Sequence, residues 1–308
     1  MHSLINDGRP FLVEAHDDLG MSRKALYAAA RSGLIRPVYR GCHVDARVAD
    51  TRRLRIQSID LVRPPAAIAC NETAAFLLGI DAYKPSERHL LTPTFVVPHA
   101  TSRLRRPHVR CRQAILPTSD ITNIDGIRVT TPVRTTSDLL RGLYRPHALA
   151  AADAFAHSKL VTREEVVDYV HHLKGYRWIV QARALATLID ARAESPGESW
   201  QRLRIHDAGF PPPVPQFEVV DEVGTVRRLD LAYPDLLIGS EYDGREFHTR
   251  LADRLHDEQR RVELTERLGW RWVNADHSRI FGPEPAFELE LGALLGIPPL
   301  LPRRWGTQ

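Results

Sequence analysis

Three consecutive prolines, Pro211-Pro212-Pro213, constrain this 308-residue chain more than any other run. Proline locks φ at about −65° and has no backbone N–H to donate, so the run is an extended connection between two differently patterned segments. Before it, Glu194-Ser195-Pro196-Gly197-Glu198-Ser199-Trp200 opens a helix that continues to Ala208 and closes at Gly209, with Trp200, Leu203 and Ile205 as core positions. After it come three β-type runs, Gln216 to Val223, Val226 to Tyr233 and Leu236 to Asp243, the first two joined by a turn at Gly224. A charged helix over about Leu251 to Leu268, stopped by Gly269, leads to a fourth strand, Trp270 to Val273, and a last helix, Glu284 to Leu295. The order is helix, three strands, helix, strand.

Carboxylates recur along this order. Glu241 and Asp243 are two apart at a strand end and point to one face, Asp230 lies on the neighbouring strand, and Glu198 sits in the first turn of the preceding helix. Such a set could hold a hard cation, Mg²⁺ or Mn²⁺, which prefers oxygen ligands and activates water while neutralising phosphate charge. An acidic pair at a strand end is also commonly a solvated rim. Glu198-Ser-Trp-Gln-Arg-Leu-Arg with Gly209-Phe210, Asp230-Leu-Ala-Tyr-Pro234, and Glu241-Tyr-Asp243-Gly244 with His248 resemble the very-short-patch-repair (Vsr-like) branch of the PD-(D/E)xK nucleases over about residues 194 to 281. The Glu-x-Asp-Gly form is similar to a Vsr-related family common in actinobacteria and often fused to an AbiEi-like front.

That resemblance implies a restriction-endonuclease-like core and a Mg²⁺-dependent DNA endonuclease. Asp230, Glu241 and Asp243 would be at the metal, Glu198 would be the helix carboxylate, and His248 would transfer protons. Pro234-Asp235 spells the family's "PD" but falls in the turn between strands, so Asp235 is discounted. Residues 191–308 contain no lysine, and Asp243 takes the place of the motif lysine that often activates the attacking water. A nuclease-like domain that serves only as a scaffold or partner surface is the alternative.

The front of the chain is patterned differently. Residues 1–190 carry 27 Lys and Arg against 18 Asp and Glu, the remainder 15 against 20, so a polyanion suits the first part and not the second. Ser22 caps a helix, Arg23 to Ser32, that puts Ala25, Leu26 and Ala29 on one face and ends at Gly33. Phe11, Leu12, Val13 and Ala15 read as part of an earlier helix, and Leu34 to Val44 as a β-hairpin turning near Arg40-Gly41. Helix, turn, helix, hairpin is a winged helix-turn-helix. Its second helix would offer Arg23, Lys24, Tyr27 and Arg31 to DNA, with Arg36 and Arg40 on the wing. A small interaction domain fits the same pattern.

From Thr51 to about Asp190 helical stretches such as Asn71 to Leu78 alternate with short strands such as Leu91 to Val97 and Gly126 to Val129. A dense basic run, Arg103, Arg105, Arg106, Arg110 and Arg112, suits bidentate phosphate contacts or a strand edge protected by charge. The Ser-Arg-Lys-Ala-Leu helix, the Tyr39-Arg40-Gly41 wing, and Thr131-Pro132-Val133-Arg134-Thr135 with Asp138-Leu139-Leu140 resemble the AbiEi-type antitoxins of type IV toxin–antitoxin systems over roughly residues 10 to 175. This resemblance implies a DNA-binding front half used for promoter autoregulation, and a cognate toxin as a possible protein partner.

Cys42, Cys70 and Cys111 are odd in number and far apart, as small buried residues would be, and no run reaches the roughly 18 apolar residues of a membrane span. The expectation is a cytoplasmic α+β protein of three domains. These are a winged helix-turn-helix over 1–50, an AbiEi-like α+β domain over 51–190 and a Vsr-like domain over 191–308. DNA is its partner, and the chain is either a metal-dependent endonuclease or an antitoxin-type regulator with an inactive nuclease-like domain.

Overall fold

The computed structural model describes residues 7–82, 92–99, 108–220, 224, 226–244 and 264–305. The chain divides into two compact units, Met1–Asp138 and Leu139–Gln308, each a mixture of helices and sheet. Among the described residues no helix is long and apolar enough to cross a membrane.

In the first unit, strand β1 (Phe11–Leu12) runs into a short 3-10 turn over Val13–Ala15, and helix α1 (Arg23–Arg31) follows. The Ser22 hydroxyl accepts a hydrogen bond from the Ala25 N–H at 3.2 Å, and Gly33, with φ +72°, ends the helix as expected of a glycine past a C-terminus. β2 (Ile35–Tyr39) and β3 (Cys42–Asp45) form the hairpin, turning at Arg40-Gly41. The helix expected around Phe11 does not form. Phe11 and Leu12 pair instead with His43 and Cys42, giving an antiparallel sheet ordered β1-β3-β2. An apolar run this short satisfies its backbone more readily against an existing hairpin edge than in an isolated helical turn.

Next come α2 (Arg52–Val62), β4 (Ile68–Ala69), α3 (Asn71–Leu77), β5 (Thr94–Pro98), β6 (Arg110–Ala114), β7 (Ile121–Ile124), β8 (Ile127–Thr130) and α4 (Pro132–Gly142). Their five strands make a sheet ordered β6-β5-β4-β8-β7. β7 and β8 are joined through Asp125 and Gly126, both at positive φ, as a two-residue hairpin turn requires. One core serves both sheets. Val38, Tyr39, Cys42 and Val44 of the hairpin cluster with Leu54 and Ile59 of α2 and with Phe95, Val97, Ile127 and Val129. The Cys42 and Cys70 thiols are buried and burial pushes them up to about 11 and 12, while Cys111 is half-buried on β6.

The Thr131 to Leu140 motif is absorbed by this unit's architecture. Arg134, fully buried, donates from Nε to Asp138 Oδ2 and from Nη1 to Asp120 Oδ2, each at 2.9 Å. Thr135 binds the Thr130 carbonyl at 3.0 Å, while Thr136 and Ser137 bond back to Pro132 and Val133. Polar side chains so near the start of a helix are tolerated in a core only because each has a partner.

The second unit begins with three helices, α5 (Arg145–His157), α6 (Arg163–His172) and α7 (Ile179–Ala186). Then come α8 (Pro196–Asp207), β9 (Val214–Val220), β10 (Val226–Tyr233), β11 (Ile238–Ser240), a helical stretch at 264–268, β12 (Arg271–Trp272), α9 (His277–Phe281) and α10 (Ala286–Leu295). β9, β10 and β11 are antiparallel and β12 joins β11 in parallel, in the order β12-β11-β10-β9. The third strand is shorter than its sequence pattern. Pro234–Leu236 form a 3-10 turn and Leu237 is left-handed at φ +50°, so pairing starts only at Ile238. Most of the helix expected over Leu251 to Leu268 lies outside the described residues.

A second buried arginine holds this unit. Arg204 donates to the Trp305 carbonyl at 2.9 Å and to the Ile280 carbonyl, lies 3.4 Å over the Trp305 ring, and has Glu288 3.5 Å away. Burial lowers its pKa to about 10. Asp207, one turn on, has His206 Nδ1 3.2 Å from its carboxyl and accepts from Arg145 at 2.7 and 2.8 Å and from Trp305 Nε1 at 2.9 Å, contacts that outweigh burial and hold its carboxyl well below the usual range.

Replacing Arg134 by Ala leaves Asp120 and Asp138 buried without their cation. The expected loss is about 3–5 kcal/mol in denaturant unfolding of the first unit. A loss below about 1 kcal/mol would contradict the network.

Candidate functional site

Two groups of residues were singled out by sequence, one in each unit. In the first, Leu26 and Ala29 of α1 are buried against Phe11 and Ile35, which fixes the side of the helix that faces away. That side carries Arg23, Lys24, Tyr27 and Arg31, all exposed, with Tyr27 62% accessible. Arg23, Tyr27 and Arg31 recur every four residues, so they form one stripe. Arg40 is exposed at the hairpin turn. Arg36 is placed differently: it is half-buried and donates to the Val48 carbonyl at 2.8 Å, tying the hairpin to the chain that follows it. Arg103, Arg105 and Arg106 lie outside the described residues; of the same run, Arg110 is exposed on β6 and Arg112 is 3.6 Å from Asp138.

The hairpin turn is seated by His108, a residue of the basic run whose contact with the turn no sequence pattern showed. Gly41 has φ +78°, and a Cβ there would meet the His108 ring at 2.2 Å. His108 Nε2 is itself 3.2 Å from Glu14. The turn is therefore held between the 3-10 turn after β1 and the residues leading into β6. Only the adjacent Arg40-Gly41 hairpin signal was legible in sequence.

In the second unit the carboxylates occupy the positions their spacing implies, but in a tied state. Glu198 is buried in the first turn of α8, where its Oε2 accepts from the Glu194 N–H at 3.1 Å and from Gln216 Nε2 at 2.7 Å. Asp230 lies on β10, one step beyond the Leu231↔Ser240 pair, so it neighbours Glu241 across the ladder. Its Oδ2 accepts from the Tyr242 N–H at 3.2 Å. Glu241 is buried, Asp243 is half-buried, and the backbone beside them bridges to Ala275. His248 lies outside the described residues. Asp235 sits in the 3-10 turn, away from this group in the chain's pairing.

Among the described residues no three His, Cys, Asp or Glu side chains are grouped to hold a metal ion. Gln216, missed in the sequence, orients Glu198 from a left-handed position, φ +52°, inside β9. The β9–β10 register runs unbroken past it, so its left-handed backbone carries no periodic signal.

The fold and site define an α+β protein in which a small helix-and-hairpin module shares a core with a domain of known type. Residues 67–188, from the start of the five-stranded sheet through α7, match the AbiEi antitoxin C-terminal domain. The chain is 32% identical over 253 residues to uncharacterized proteins from two strains of Mycobacterium tuberculosis, an alignment covering 82% of this chain and 89% of theirs. It belongs to the same family as those proteins. The matched domain ends before α8, so the carboxylate-bearing sheet lies beyond it.

Gly41→Ala is expected to lower stability by about 1–3 kcal/mol, because the new methyl meets the His108 ring and the left-handed backbone disfavours any Cβ. In a His108→Ala background only the backbone penalty, about 1 kcal/mol, should remain. Equal losses in both backgrounds, measured by denaturant titration, would show that His108 does not seat the turn.

Proposed function

We propose that the chain is a DNA-binding transcriptional regulator of the antitoxin type, acting on its own promoter. What carries the reading is the attachment of an AbiEi antitoxin domain to a module whose helix turns an aromatic and cationic stripe outward. In this reading α1 is the recognition helix of a winged module in which the 3-10 turn Val13–Ala15 stands where a helix-turn-helix has its first helix. Arg23, Lys24 and Arg31 meet phosphates or base edges, Tyr27 adds an apolar contact, and Arg40 tracks the backbone from the hairpin turn. A cognate toxin is the protein partner the family suggests. The carboxylate-bearing unit then serves as scaffold, in keeping with hydrogen bonds that already engage Glu198 and Asp230.

The test is fluorescence anisotropy with DNA from the chain's own upstream region. Binding should weaken steeply with salt and be indifferent to chelators, with each lost phosphate contact lowering the salt slope by about 1. Arg23→Ala or Arg31→Ala should cost about 1–3 kcal/mol and relax sequence preference where the residue reads a base. Wild-type affinity in both variants would remove α1 from the interface.

A second reading, a Mg²⁺- or Mn²⁺-dependent endonuclease, is favoured by one observation: Asp230 and Glu241 are ladder neighbours with a buried glutamate on the preceding helix. It makes a distinct prediction. A cation held by these carboxylates at a hundred times its dissociation constant adds about 2.7 kcal/mol and raises the melting temperature by about 2–4 °C. The regulator reading expects no such rise. A shift with Mn²⁺ that disappears in Asp230→Asn/Glu241→Gln, together with plasmid nicking lost in Asp230→Ala, would replace it by the second reading.

A further inference from the structure

His43 stands on the central strand of the three-stranded sheet with one ring nitrogen that the fold leaves unanswered. Side chains alternate along β3, so Cys42 and Val44 enter the main core while His43 points to the other face, where α1 rests. Its ring lies against Phe11, its partner across the ladder, with centroids 6.4 Å apart and planes 28° from parallel. Nδ1 is shut off from water, and among the described residues no hydrogen-bond partner reaches it. In a neutral imidazole the cost is one unpaired nitrogen. In the cation both nitrogens carry protons, and a charged N–H is then buried with no acceptor.

The neighbours of His43 do not relieve that charge. Across the ladder it faces Phe11 on β1 and Pro37 on β2, and α1 adds Leu26 and Ala29 to this face, none of them charged. Asp45, two residues along β3, is engaged by Arg47 at 2.7 Å. His108, seated over the turn at Gly41, opposes a charge on His43 and is itself 3.2 Å from Glu14. Burial first, and His108 second, hold His43 below the usual histidine range. His16, after β1, is placed differently: Asp17 lies 2.9 Å from its Nδ1, so its cation has a partner in the fold.

What gives way on protonation follows from the packing. The hairpin is held from its far side by the main core, whereas the imidazole is covered by Phe11 on a strand of two residues, and α1 rests on Phe11 through a small separate cluster. Joint opening of β1 and α1 uncovers the ring and leaves the core intact.

We infer that His43 is a pH-sensitive latch for α1: its neutral ring lets β1 and α1 close on the hairpin, and its protonation releases them while β2 and β3 stay folded. The open state binds the proton more readily than the closed one. Closure is therefore complete above the ordinary histidine pKa of about 6.5 and is lost as pH falls below it, by about tenfold per pH unit for one linked proton.

Hydrogen exchange of the full chain at about pH 7.5 and about pH 5.5, corrected for intrinsic rates, tests the latch. Protection of the α1 amides should fall by up to about tenfold while that of β2 and β3 is unchanged. His43→Leu should abolish the fall, and where leucine disturbs the packing His43→Phe carries the same test with the ring contact kept. His16→Asn should leave the fall intact. Equal α1 protection at the two pH values, a fall shared by β2 and β3, or a fall that survives both His43 variants would overturn the inference, as would one removed by His16→Asn.

A second readout rests on the regulator reading, which the exchange measurement does not need. Affinity for the upstream duplex should drop with pH in the wild type and not in His43→Leu, the reverse of the gain that added positive charge alone would bring. Loss of α1 protection with unchanged affinity would uphold the latch and count against α1 as the reading helix.

Discussion

A guanidinium buried away from water needs its charge and most of its donors met by protein groups, and each unit of this chain contains one that does much to organise it. Arg134 joins the residues before β7 to α4 through Asp120 and Asp138. Arg204 joins α8 to Ile280 and Trp305, and shares Glu288 with Arg303. Such ion pairs contribute less stability than apolar side chains of similar volume, because desolvation cancels much of the attraction. Their effect here is geometric. Segments 14 residues apart in one case and 101 in the other must arrive in one arrangement for the charge to be satisfied, and α8 and α4 are positioned as a consequence.

The same constraint separates a firm part from a lighter part in the first unit. The hairpin strands β2 and β3 give Val38, Tyr39, Cys42 and Val44 to the large core that includes the five-stranded sheet. Helix α1 rests on a small separate cluster of Phe11, Leu26, Ala29 and Ile35. Elements with few buried contacts open at lower free energy than those in the main core. The hairpin is thus a fixed reference and α1 the more adjustable member.

How much of this was legible in the sequence follows from which signals are local. α1 was, because a capping serine, a 3.6-residue apolar stripe and a terminating glycine all lie within twelve residues. The hairpin was, through its turn, and β10 coincides with its apolar alternation from Val226 to Tyr233. Phe11 and Leu12 misled because their partner strand lies some thirty residues away, and no local pattern distinguishes an edge strand that short from a helical turn. The Arg36 bond to the Val48 carbonyl was not legible, because charge alone does not reveal a carbonyl within reach.

The carboxylates of the second unit show why spacing and chemistry come apart. Glu198, Asp230, Glu241 and Asp243 fall at the helix start and strand ends that a hydrolytic site would use. Yet Gly197 exists in part so that the Tyr242 ring can lie on α8, where a Cβ would be 2.1 Å from it. The Tyr242 N–H in turn donates to Asp230, and the Tyr242 ring meets Trp200 edge to face at 6.0 Å. The acidic residues are therefore linked to the helix through an aromatic contact and to Gln216 through an amide, both structural bonds. A carboxylate that accepts backbone or amide N–H groups has spent part of its coordination capacity on the fold. Glu198 joins α8 to β9 through Gln216, and Asp230 holds the segment after β11 through the Tyr242 N–H, and these bonds argue for a structural use of both.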